Sequence, residues 1–146
     1  MHDHGEANAK GEFVLRLILG VVIGLIVGAA AVTATEALDY RMFPPPLGLN
    51  ADDPATVRAA LAAIPDAAHA LMLAGWLVAT AIGAGAAGFV ARRLLAVEVV
   101  AVAALAFALL YLSMSPHPWW MWAGAILLLP LAGWTTGRFG IKKASA

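Results

Sequence analysis

The chain has 146 residues, 62% of them hydrophobic and 12% charged, and its nine bases balance its nine acids to a formal net charge of zero. Ordinary soluble domains carry about 45–50% apolar and about 25% charged residues, so a mean hydropathy of +0.85 argues against a water-soluble globule and for a single membrane-embedded domain. The absence of cysteine excludes disulfides, thiolate metal sites and thiol nucleophiles.

Residues 1–12 (MHDHGEANAKGE) are polar and aperiodic and read as a disordered tail. His2 and His4 flank Asp3, a tract that suits a transition metal but reads first as an exposed terminus. Residues 13–35 form the first predicted span, long enough at about 1.5 Å per residue to cross about 30 Å of hydrocarbon. The acid-rich leader and the long apolar run favour a retained span over a cleaved signal peptide. Gly20, Gly24 and Gly28 recur every fourth residue, so they share one helix face and invite a close helix neighbour.

The loop over 36–66 is the longest stretch unsuited to lipid. Pro44, Pro45 and Pro46 end the preceding helix, and Asp52 or Asp53 before Pro54 is a helix start with a carboxylate cap and proline at the first position. A short amphipathic helix over 55–64 follows, with Val57, Leu61 and Ile64 opposite Arg58.

The second span covers about 67–90, where Gly75, Ala79, Gly83 and Ala87 form a second small-residue stripe suited to the first. The third covers about 94–114. Its one acid, Glu98, lies at the same estimated depth as Arg16; an intramembrane ion pair between them is one candidate, the alternatives being that each reaches separately to the interface or that Glu98 pairs with Arg92 or Arg93. The fourth covers about 119–139, opening on Trp119, Trp120 and Trp122 at headgroup level, with a kink expected at Pro130. Residues 140–146 read as a basic tail. Leu73-Ala74-Gly75-Trp76 recurs as Leu131-Ala132-Gly133-Trp134, a weak echo of a duplicated helix pair.

The predicted fold is therefore all-α, an integral membrane four-helix bundle with a short extracytoplasmic helix between spans one and two. Lys10, Arg16, Arg92, Arg93, Arg138, Lys142 and Lys143 fall on the side of both termini, which the positive-inside rule makes cytoplasmic. The runs MFPPPLGLNADDPATVRAALAAIPDAAHALMLAGW, GFVARR and SPHPWWMWAGAILLLPLAGWTTGRFG resemble a group of small four-helix bacterial inner-membrane proteins with a proline-rich outer loop and no known activity. The resemblance implies a bacterial inner-membrane location and supplies no functional residue.

His69, His117 and Asp66, with Glu36 and Asp39 nearby, are weak candidates for a metal or proton site at the outer face. No HExxH, GxSxG, phosphate loop or dinucleotide fingerprint is present, so neither catalysis of a familiar kind nor a cofactor is expected, and no basic–aromatic patch suggests nucleic acid. The expected partners are the lipid bilayer and either further copies of the chain or a larger membrane complex. The favoured reading is a structural or accessory membrane protein; the alternative is a small oligomeric transporter or channel for a small solute.

Overall fold

A computed structural model describes residues 3–44 and 52–145, with side chains from Lys10 onward. His2, Pro45 and Pro46 lie outside the described residues, as do the side chains of Asp3 and His4. The described chain is helical with no strand: α1 (Asp3–Met42), α2 (Pro54–Ala62), α3 (Asp66–Ala91), α4 (Leu94–Met114) and α5 (Trp119–Ala144).

α1 is longer at both ends than the apolar run that predicted it. Its polar start is helical from Asp3, not disordered, and its polar end runs on through Glu36 and Asp39 to Met42. Loss of hydropathy marks where lipid can end, but only loss of a backbone bond or a clash ends a helix. That point comes at Pro44, whose ring disfavours helical geometry in the residue before it; the last turn closes with the Phe43 N–H donating to the Asp39 carbonyl at 2.8 Å. The hydroxyls of Thr33 and Thr35 donate to the carbonyls of Ala29 and Ala31, so neither needs an outside partner. For the same reason α5 continues past 139 to Ala144 and absorbs most of the expected tail. α5 also runs without a break through Pro130.

α2 is capped by Asp53, whose carboxylate accepts from the Ala55 N–H at 3.0 Å and from the Thr56 hydroxyl. With Pro54 at its first position it starts firmly, yet none of its residues is buried. α3 ends at Arg92, a non-glycine residue at φ 54° whose N–H closes on the Gly88 carbonyl at 2.9 Å. The left-handed geometry costs about 1–2 kcal/mol and turns the chain into α4 within two residues.

The glycine contacts fix the directions. Gly20, Gly24 and Gly28 descend α1 as Ala91, Gly83 and Ala79 ascend α3, so these helices are antiparallel. Leu73 meets Gly124, Thr80 meets Gly133 and Gly88 meets Gly137, so α3 and α5 are parallel. α4 runs against both, Val97 lying beside Gly88 and Gly137. α3 is thus central, touching α1, α4 and α5. One buried cluster gathers Trp76, Leu112, Met121 and Leu129, and a second, toward the other end, gathers Ala84, Ala87, Val97 and Val100.

Three helical segments are long and apolar enough to cross a membrane: Lys10–Met42, Asp66–Ala91 and Leu94–Met114. α5 matches α3 in length, but its tryptophans, Pro130 and the Thr135–Thr136 pair leave it less apolar than those three.

Candidate functional site

The two small-residue stripes lie face to face. A Cβ added at Gly24 would stand 2.7 Å from the Gly83 carbonyl oxygen and 2.8 Å from the Ala87 Cβ, and one at Gly20 would stand 2.6 Å from the Ala91 Cβ. Gly28 sits over Ala79 with ordinary clearance of 3.5 Å, and a Cβ at Gly75 would run into the Thr35 side chain. These contacts bring the α1 and α3 backbones together with only alanine methyls and the Thr35 side chain between them. They hold helices and carry no reactive group.

The candidate Arg16–Glu98 pair does not form. Arg16 is bound to Glu12, one turn back on α1, at 2.7 Å, with both side chains more than half exposed. Glu98 lies among Val102, Leu105, Pro130 and Trp134 in a cavity of about 440 Å³ between α4 and α5. The reason is angular. Val100 is the α4 residue that meets Gly24 of α1, and Glu98, two residues away, is turned about 200° around the helix from it.

The antiparallel packing sorts charge to opposite ends. Lys10, Arg16, Arg92, Arg93, Arg138, Lys142 and Lys143 collect at one, with Glu12 and Glu98 among them, and there Arg93 caps the Phe13 ring at 4.7 Å and Arg138 the Trp134 ring at 4.0 Å. Glu36, Asp39, Asp52, Asp53 and Asp66 collect at the other, with only Arg41 and Arg58 among them. The acidic end also carries a run of linked rings. Trp76 meets Tyr111 edge to face at 5.5 Å, Tyr111 meets His117 at 5.7 Å, and His117 meets His69 edge to face at 5.7 Å.

The histidines differ in how they are held. His117 is fixed by a 2.8 Å hydrogen bond between its Nδ1 and the Ser115 carbonyl, which makes Nδ1 the protonated nitrogen. His69 is only 6% exposed, and its Nδ1 has no hydrogen-bond partner among the described residues. Across from it, Asp39 has one carboxylate oxygen shielded from solvent and likewise unpartnered. Among the described residues no three His, Asp or Glu side chains come together as a metal site, and Asp66, exposed in the first turn of α3, does not complete one with the two imidazoles.

A cavity of about 780 Å³ opens beside these groups. Its walls include Glu36 and Asp39 of α1, Met72 and Trp76 of α3, Tyr111 of α4, and Ala63 and Ile64 just after α2. A second cavity of about 460 Å³ continues along the seam between α1 and α4 to Gly24 and Val100, and shares Val32, Glu36 and Trp76 with the first. Trp76 and Tyr111 were not legible as site residues from sequence. One signal existed: His69 and Trp76 are seven apart, hence two turns apart on one face of α3.

Long apolar helices, charge sorted to opposite ends and glycine-mediated contact make this chain a helical membrane protein. Compared with protein-family models, with curated proteins and with solved structures, it matches none.

Proposed function

We propose that α1, α3, α4 and α5 all cross a bacterial inner membrane as a four-helix bundle, with both termini cytoplasmic and α2 on the outer surface. The protein then serves as a structural or accessory membrane component, without catalysis, that joins a larger complex. The observation that carries this reading is the continuous small-residue seam: α3 is locked along its length by α1 on one side and by α5 on another, with backbones in contact at Gly24–Gly83 and Gly88–Gly137. Such seams are built for fixed helix association.

Membership of α5 among the spans is supported by its parallel course beside α3, which gives the two helices the same depth. It also has tryptophans at the acidic end and Arg138, Lys142 and Lys143 at the basic end, the arrangement of interfacial anchors. The basic end is cytoplasmic by the positive-inside rule. α1 leaves an apolar face of Val14, Ile18, Val22 and Ile26 outward, which lipid or a partner helix would cover.

A second reading, a small oligomeric transporter or channel, is favoured by one observation: the two joined cavities reach from the acidic end to the level of Gly24 near the middle of α1. Gentle extraction at native abundance, with the bound components identified by mass spectrometry, separates the two. A larger membrane assembly in fixed stoichiometry is the expected outcome; recovery of copies of this chain alone favours the second reading.

A further inference from the structure

We propose that the two joined cavities at the acidic end bind a cationic amphiphile: a single-chain compound with an ammonium head and no phosphate. The head sits among Glu36, Asp39, Trp76 and Tyr111, and the chain lies in the α1–α4 seam. This rests on the helices being in a membrane, not on an accessory role.

The shape is that of an amphiphile. The larger cavity, about 780 Å³, holds the carboxylates; the smaller, about 460 Å³, is walled by Leu25, Ala29, Val100, Ala104 and Phe107. Both volumes fall within the roughly 300–1,000 Å³ of small-molecule sites. They meet at Val32, Glu36 and Trp76, so a ligand spanning both has one polar end and one apolar end.

The charge selects the head. Among the described residues no lysine or arginine lines either cavity, while two carboxylates line the larger one. Glu36 and Asp39 line the larger cavity with no base among its walls, and an ammonium N–H or a trimethylammonium face there supplies the missing positive charge. Tyr111, only partly buried, lines the same cavity, and an aromatic ring attracts such cations. An anionic or zwitterionic phospholipid is disfavoured, because its phosphate would lie beside Glu36 and Asp39 with no base to receive it. His69 is deeply buried and is not among the residues that line the cavity.

The test uses the full chain in lipid nanodiscs and dodecyltrimethylammonium as probe, with empty discs measuring simple partition into lipid. Equilibrium dialysis should show saturable binding in excess of empty discs, displaced by dodecylamine and not by the same concentration of tetramethylammonium or dodecyl sulfate. The near-isosteric pair Glu36→Gln and Asp39→Asn should abolish that excess while leaving helix content unchanged. Ala104→Phe, which fills the seam and leaves the carboxylates in place, should weaken it too. No excess over empty discs, or an excess untouched by the carboxylate pair, overturns the proposal. Tetramethylammonium displacing as well as dodecylamine, or Ala104→Phe binding like the parent chain, overturns the assignment of the chain to the seam.

Discussion

At the scale of single residues, the contrast between two glycines is the sharpest consequence of the helix contacts. Gly24→Ala pushes a methyl to within 2.7 Å of the Gly83 carbonyl oxygen and should destabilise the protein by about 1–3 kcal/mol, the usual cost of overpacking. Gly28→Ala meets its nearest atom at 3.5 Å and should be neutral or stabilise by about 0.5–1 kcal/mol, because alanine loses less freedom in a helix. Unfolding in detergent, followed by circular dichroism, ranks the two; equal losses would contradict the packing described. The stripe itself was legible from spacing alone, but spacing does not reveal which glycine lies closest to the opposite backbone. The misplaced ion pair teaches a related lesson. Depth alone suggested Arg16 and Glu98, but depth ignores azimuth, and the acid one turn away on the same helix was discounted by reading the leader as disordered. The double replacement Arg16→Gln with Glu98→Gln should therefore equal the sum of the single effects, as measured by a mutant cycle; a coupling of more than about 1 kcal/mol would restore the pair.

Among the elements, α2 and α5 bear the clearest tests. The cap at Asp53 is held below the ordinary carboxylate value of 3.8, first by the Thr56 hydroxyl and then by the Ala55 N–H. A carboxyl whose folded value is depressed contributes its stability above its unfolded value and loses it as pH falls through the lower, folded one. The helical Cα shifts of α2 should therefore hold on acidification to the ordinary carboxylate range and fade only below 3.8. Fading at a higher pH would contradict the cap, and Asp53→Ala should fray α2 at every pH. In α5, Leu129 is fully buried beside Leu112 and Met121, so Leu129→Ala should cost about 2–5 kcal/mol in the same unfolding assay. The start of α2 could be read from Asp-Asp-Pro, because capping chemistry is local. The ends of α1 could not be read from hydropathy, because a helix outlasts the membrane until a proline or a lost bond stops it.

Over the whole molecule, the order of helices, the seam and the sorting of charge were within reach of the sequence, since each follows from period-four spacing or from counts of bases. The cavity was not, because it arises where α1 and α4 fail to pack closely, and that depends on the azimuth of every helix at once. The internal echo shows the same limit: α3 and α5 do run parallel, yet Trp76 is buried while Trp134 is 44% exposed, so matching letters do not occupy matching environments. What most needs testing is whether α5 crosses the membrane, because α5 decides the side of the C-terminus and completes the bundle. The chain has no native cysteine, so single cysteines report without background. Met114→Cys, at the exposed end of α4, and Ser145→Cys, just past α5, should be probed with a membrane-impermeant maleimide on right-side-out vesicles. Four crossings predict labelling of Met114→Cys from outside and of Ser145→Cys only after permeabilisation; labelling of both from outside would mean that α5 does not cross.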